Sequence, residues 1–225
     1  MQISKIQLNA DASDHPAFWE HVGGAYQAHS LIWDLFSDGP ERERDFLFRQ
    51  EVHQGMPVFW TVSERVPSDR NETWNIKSKP YAPILRQGMH LSFVLRANPI
   101  RSRRDDLGKQ HRHDVVMDMK TALKDSKPGD QWPAEDQIIQ EAGLVWLANQ
   151  GNAKGFSLQD GAVRVDGYTQ HRFVKPKKKQ MVQISTLDFT GLLTVTDPER
   201  FTTALFNGIG PAKGFGCGLM MVRPA

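Results

Sequence analysis

The sequence predicts an α+β protein made of two tandem βαββαβ halves. Three observations predict it. Strands come in hairpin pairs, a helix follows the first strand of each half, and a similar order of elements is run through twice along 225 residues, with a weak segment where the first half's second helix would stand. A doubly wound α/β fold alternates single strands with helices, and paired strands disfavour it. No sequence repeat accompanies the second pass, so the order of elements alone carries the reading. The architecture expected is two ferredoxin-like (RRM-like) domains, residues 1–87 and 88–225, joined near Arg86–Gly88.

In the first half, "MQISKIQLNA" alternates and reads as a strand carrying Ile3, Ile6 and Leu8. "DASDHPAFWEHVGGAYQAHSLIWDLFSDG" reads as a helix capped by Ser13 or Asp14, with Phe18, Val22, Ala25, Ile32 and Phe36 at helical spacing. Gly23 and Gly24 weaken its middle. "RDFLFRQEV" and "PVFWTVSERV" are strands around the turn "HQGMP", and "NETWNIKSKPY" is a weaker strand after a short connection.

The second half opens on the strand "GMHLSFVLRANP", with Leu91, Phe93 and Leu95 on one face, followed by a long polar stretch. "WPAEDQIIQEAGLVWLANQG" is a helix, with Pro133 and acids in its first turn and Gly151 after its end. "GAVRVDG" and "MVQISTLDFTGLLTV" are strands. "TDPERFTTALFNG" is a short helix in which Thr196 is the expected N-cap, Pro198 suits the first turn, Glu199 completes a capping box and Gly208 stops the chain. "GLMMVRP" is the last strand.

Composition narrows the class. Nothing approaches the roughly 20 consecutive apolar residues of a membrane span, and the start lacks the apolar run of a signal peptide. One cysteine, Cys217, excludes an internal disulfide and a multi-cysteine zinc site, and the expected compartment is the cytoplasm. The net charge of +2 is unevenly spread. Residues 1–88 carry 9 Lys/Arg against 12 Asp/Glu, and residues 89–225 carry 19 against 14. An anionic partner is therefore sought in the second half.

The stretch "FNGIGPAKGFGCGLMMVRP" holds Gly208, Gly210, Gly214, Gly216 and Gly218, with Lys213 among them. It is no Walker loop, because Lys213 precedes Gly214 and Phe215 rather than Ser or Thr. It is no dinucleotide fingerprint, because it runs from a helix to a strand. It is either a helix C-cap plus a turn, or a backbone surface that a polyanion can approach closely. Two basic segments favour the polyanion. "RANPIRSRRDDLGKQHRH" carries Arg96, Arg101, Arg103 and Arg104, and "RFVKPKKK", the tip of a hairpin, carries Arg172, Lys175, Lys177, Lys178 and Lys179. Spaced cations of this kind suit an extended phosphate backbone.

Chemistry has few candidates. Tyr26 and His29 stand three apart, hence on one helix face. His29 also falls in the apolar series, so it is either a packed core histidine or an acid–base group at the edge of that face. His111 and His113 lack an evident third metal ligand. Cys217 sits beside Leu219 and Met220 and reads as a packed thiol, and no Ser/His/Asp set is present.

The segments "MQISKIQLN", "YQAHSLIWDLF", "RDFLFR", "SFVLRANP", "RHDV" and "GIGPAKGFGCGLM", in that order, resemble the CasE family of type I-E CRISPR systems over essentially the whole chain. The resemblance implies a tandem ferredoxin-like endoribonuclease. Such a protein binds the hairpin of a CRISPR repeat transcript and cuts at the base of the stem without a metal or other cofactor. It stays with the mature crRNA and the other subunits of Cascade. The family histidine corresponds to His29, its tyrosine to Tyr26, its glycine loop to Gly208–Gly218, and its stem-gripping hairpin to Arg172–Lys179. Two other classes compete: a non-catalytic RNA-hairpin-binding subunit, and a metal-dependent nuclease. Tyr26 with His29 argues against the first, and the missing carboxylate cluster against the second.

Overall fold

The computed structural model describes residues 1–9, 25–36, 39, 43–70, 72–104, 107–126, 128–175 and 180–225. The first half contains β1 (Gln2–Leu8), α1 (Ala25–Asp34), β2 (Phe46–His53), β3 (Met56–Ser63) and β4 (Trp74–Pro80). The four strands pair antiparallel in the order β2-β3-β1-β4, the ferredoxin-like arrangement. Gln54 and Gly55 join β2 to β3 with φ of 52° and 79°. Two positive φ values in a two-residue turn match the twist of the flanking strands, so the predicted "HQGMP" turn closes a tight hairpin.

One face of this sheet buries Ile6, Phe46, Phe48, Phe59 and Trp74 against Ala28, Ile32, Leu35 and Phe36. Ile32 and Phe36 thus face the core as their spacing predicts. The proposed caps Ser13 and Asp14, together with Phe18, Val22 and the Gly23-Gly24 pair, lie outside the described residues. The second helix that the βαββαβ reading expects between β3 and β4 is corrected: none occurs there among the described residues. The segment there, "ERVPSDRNET", has no apolar repeat to bury. It is held instead by Ser68 N–H donating to the Leu35 carbonyl at 2.9 Å and Trp74 N–H donating to Asp69 Oδ2 at 2.6 Å.

The second half contains β5 (His90–Ala97), β6 (Ile100–Arg104), β7 (Gln110–Asp114), α2 (Val115–Ser126) and α3 (Glu135–Lys154). It continues with β8 (Phe156–Lys175), β9 (Gln180–Val195), α4 (Pro198–Asn207) and β10 (Met220–Pro224). Its main sheet runs β10-β5-β9-β8, again antiparallel and again ferredoxin-like in order. Leu91, Phe93 and Leu95 are buried on one face of β5, as their alternation predicts. They pack with Phe189 and Leu193 of β9, Trp146 and Leu147 of α3, and Phe201 and Leu205 of α4.

Three local expectations are corrected. The polar stretch after β5 folds into the β6–β7 hairpin and α2, because Asp114 Oδ1 accepts the N–H groups of Val116 and Met117 at 2.8 and 3.0 Å and caps a helix start. Helix α3 does not stop at Gly151. It runs one turn further to Gly155, whose φ of 80° ends it, while Gly151 is inside the helix where a Cβ would lie 2.4 Å from the Phe156 carbonyl oxygen. The N-cap of α4 is Asp197, not Thr196, because the carboxylate accepts from Glu199 N and Arg200 N at 3.1 and 3.0 Å. Pro198 and Gly208 take the predicted places. Among the described residues no helix is long and apolar enough to cross a membrane.

Candidate active site

The glycine loop leaves α4 and is drawn shut at its neck. Ile209 N–H donates to the Gly218 carbonyl at 2.9 Å, and Gly218 N–H donates to the Arg96 carbonyl at 2.7 Å. Gly208, Gly210, Gly216 and Gly218 all take positive φ, whereas Gly214 does not. Lys213–Phe215 forms a single 3-10 turn at the outer end. The turn reading and the close-approach reading of this loop therefore both apply, to different glycines. The positive-φ residues bend the chain. Gly214 leaves space: a Cβ built there would meet His29 Cε1 and Nδ1 at 3.7 Å and Arg44 Nη1 at 3.9 Å.

The loop from the second half thus lies against α1 of the first. His29 is half-buried, with its ring centroid 5.8 Å from that of Trp33 and 5.9 Å from that of Phe215. Nδ1 is buried and has no hydrogen-bond partner among the described residues. Burial first, and then the Arg44 charge, push the imidazole pKa below its usual 6.5; the Gly214 backbone opposes this without giving Nδ1 a hydrogen bond. Lys213 is likewise pushed down, by burial and then by Arg44 and Lys154, and Arg44 by burial. A neutral-leaning imidazole in a field of cations is the electrostatic character of the site. Tyr26 stands on the same helix, three residues before His29.

The other predicted residues spread along the second half. Gly208 and Gly210 are at the loop's entry. Arg96 holds Asp188 through two hydrogen bonds of 3.0 and 2.7 Å. Arg101 and Arg103 both reach Asp118 of α2, at 3.4 and 2.7 Å, and Arg104 is exposed at the end of β6. Arg172 is exposed on β8, and Lys175 pairs in register with Gln180, so residues 176–179 join the two strands. Lys177, Lys178 and Lys179 lie outside the described residues.

His111 and His113 sit on β7 with rings 6.4 Å apart, and no set of three metal-ligand side chains is found among the described residues. Cys217 is buried, and burial pushes its thiol up to about 12, which suits packing rather than nucleophilic attack. Sequence reasoning missed Arg44, Lys154 and Phe215. Arg44 stands in "RDFLFR", just before β2, and Lys154 ends α3. Neither position shares a motif with the glycine loop.

Fold and site together define a tandem ferredoxin-like protein with a histidine set among cations between its halves. The model of a family described as CRISPR associated protein matches residues 1–224, and the chain belongs to that family. It is 32% identical over 204 residues to the CRISPR system Cascade subunit CasE of Escherichia coli K12, across 88% of this chain and 92% of that protein. It is 28% identical over 242 residues to the CRISPR-associated endoribonuclease Cse3 of Thermus thermophilus, across the full length of both. Among solved structures, the CRISPR endoribonuclease Cse3 bound to 19 nt RNA matches with a TM-score of 0.71 and 26% identity, again over 100% of both chains.

Proposed function

We propose that this chain is the repeat-processing endoribonuclease of a type I-E CRISPR system and a Cascade subunit working in the cytoplasm. Its two units are residues 1–87 and 88–225, with the division falling between the end of β4 at Pro80 and the start of β5 at His90. It binds the stem-loop of the repeat transcript and cuts at the base of the stem. The single observation that carries the reading is the His29 ring against Gly214, with Arg44 and Lys213 beside it.

RNA brings its own nucleophile, the ribose 2′-OH. His29, held toward its neutral form, accepts the 2′-OH proton while that oxygen attacks the scissile phosphorus. The bond from phosphorus to the 5′-oxygen breaks, and the leaving oxygen takes up one proton. One strand then ends in a 2′,3′-cyclic phosphate and the other begins with a 5′-OH, so protons balance and no redox change occurs. Arg44 and Lys213 stabilise the charge gathered on the phosphorane. Tyr26 orients the nucleophile or supports the phosphorane.

The stem is gripped by shape and phosphate contacts, since A-form RNA hides its bases in a deep, narrow major groove. The β8–β9 hairpin with Arg172, Lys175, Lys177, Lys178 and Lys179 supplies the spaced cations, together with Arg101, Arg103 and Arg104. The glycine loop, including Gly208, Gly210, Lys213, Gly214 and Gly216, lets backbone approach backbone.

Single-turnover cleavage of a labelled repeat hairpin, with and without EDTA, tests this reading. Equal rates in both are expected. Tight binding with no cleavage makes the chain a non-catalytic RNA-binding subunit, and loss of cleavage in EDTA makes it a metal-dependent nuclease.

A further inference from the structure

One buried guanidinium takes no part in the proposed reaction and is hard to justify by stability. Arg49 of β2 has a side chain only 10% exposed. Its Nε donates to Glu51 Oε1 at 3.0 Å, and Glu51 Oε2 accepts from Trp60 Nε1 at 3.2 Å. Its Nη1 is buried with no hydrogen-bond partner among the described residues, and lies 3.6 Å from Asp188 Oδ1 on β9. Asp188 is already bound by Arg96 of β5. One carboxylate on the second sheet therefore faces two guanidiniums, one from each sheet. Replacing a buried, imperfectly bonded ion by a hydrophobic residue is often neutral or stabilising, so the arrangement needs another account.

The neighbours of these residues supply it. On β2, Leu47 and Phe48 precede Arg49 in the chain. A Cβ on Gly208 would lie 2.9 Å from Leu47 Cδ2, and one on Gly216 would lie 3.2 Å from Phe48 Cε2. On β5, the Arg96 carbonyl accepts the Gly218 N–H. The two strands that carry the arginines are thus the two strands on which the glycine loop rests.

We propose that Asp188 is a positioning residue. By binding Arg96 and drawing Arg49 toward it, Asp188 ties β2 to β5 and so sets the glycine loop at the right distance from His29. Without the carboxylate, Arg96 loses its partner, Arg49 is left with Glu51 alone, and the tie between the two strands is gone. This inference rests on the proposed cleavage reaction, and it makes Arg96 part of the clamp rather than the phosphate contact expected from sequence.

The full-length chain is assayed on a labelled repeat hairpin, reading the saturating single-turnover rate and the RNA Kd at several salt concentrations. Asp188→Asn is expected to lower the rate about ten-fold or more, with Kd nearly unchanged, because a small misplacement costs rate before affinity. Asp188→Glu is expected to recover part of the rate. Arg49→Met, which matches volume and leaves Asp188 paired, is expected to fold normally and cut more slowly. The double variant Arg49→Met/Asp188→Asn should cut no more slowly than Asp188→Asn alone, because a single clamp can be broken only once. Arg96→Gln should leave the salt slope unaltered.

A native rate in Asp188→Asn overturns the proposal, as does a salt slope reduced by about one in Arg96→Gln, which marks a phosphate contact. If Asp188→Asn does not fold, a native rate in Arg49→Met overturns it alone. Amide hydrogen exchange reads the clamp without activity. In Arg49→Met, the Ile209 and Gly218 amides are expected to exchange faster, and unchanged exchange overturns the clamp. If the wild-type chain cuts no RNA, the functional reading fails while this exchange result still decides the clamp.

Discussion

Gly214 and His29 face each other across the two halves of the chain, with room at Gly214 for a Cβ 3.7 Å from the imidazole and not much more. Alanine there makes ordinary van der Waals contact. Valine carries its methyls into the ring or into Arg44. Gly214→Ala is therefore expected to cut at close to the native rate, and Gly214→Val about ten-fold or more slowly, for lack of alignment. Because Gly214 does not need a positive φ, Gly214→Ala should melt near the wild-type temperature. A large drop in melting temperature for Gly214→Ala contradicts this account.

His29→Ala is expected to lose about 10²–10⁴-fold in single-turnover cleavage while binding the hairpin nearly as tightly, since a proton-transfer group is removed and the phosphate contacts remain. Tyr26→Phe should lose less. A substrate with deoxyribose at the cut site should not react. Native cleavage by His29→Ala returns His29 to the packed core.

The lowered pKa of His29 makes two pH predictions with one sign. The unfolded chain binds a proton at His29 more readily than the folded chain does. Stability is thus full above the usual histidine pKa of about 6.5 and is lost as pH falls through the folded value. The melting temperature of the wild type should fall more between about pH 7 and 5 than that of His29→Gln. The acid limb of kcat/KM, which reports the free enzyme, should lie below about pH 6.5.

Arg44→Gln tests the cationic field. Removing that charge relieves one of the causes that depress both His29 and Lys213. The acid limb should move up toward the ordinary histidine value. On the proposed reading, the cleavage rate should fall about ten-fold or more, because a charge that would stabilise the phosphorane is gone. A lower rate with an unmoved acid limb means that Arg44 contacts RNA without setting the imidazole pKa.

Neutralising Lys177, Lys178 and Lys179 together should weaken RNA binding and flatten its salt dependence, by about one unit or somewhat less for every phosphate that goes without its cation. Titrations at several salt concentrations measure this. An unchanged slope means that the three lysines are solvated surface only.

Strands were the most legible part of the fold. The alternation at Leu91, Phe93 and Leu95 is a local signal and appears unaltered as the buried face of β5. The β6–β7 hairpin and α2 were not legible, because the described residues of 100–104 and 107–114 are mostly exposed and leave no apolar rhythm, and because the cap at Asp114 is a single side chain. Helix ends were misplaced where two residues competed for one role, Thr196 with Asp197 and Gly151 with Gly155. His29, Lys213 and Gly214 were each readable alone. Their adjacency, and the part played by Arg44 and Lys154, arise only when the two sheets meet, and no periodicity encodes that meeting.

The helix bearing His29 lies early in the chain and the loop that completes its surroundings lies late, on the threshold of β10. Domains tend to fold as they leave the ribosome, N-terminal first. The histidine is therefore made, and its helix docked, while Gly214 and Lys213 are still unmade or inside the exit tunnel. A nascent chain stalled before the loop carries His29 but neither Gly214 nor Lys213 beside it. The surroundings of His29 are thus complete only once the late loop has reached the early helix.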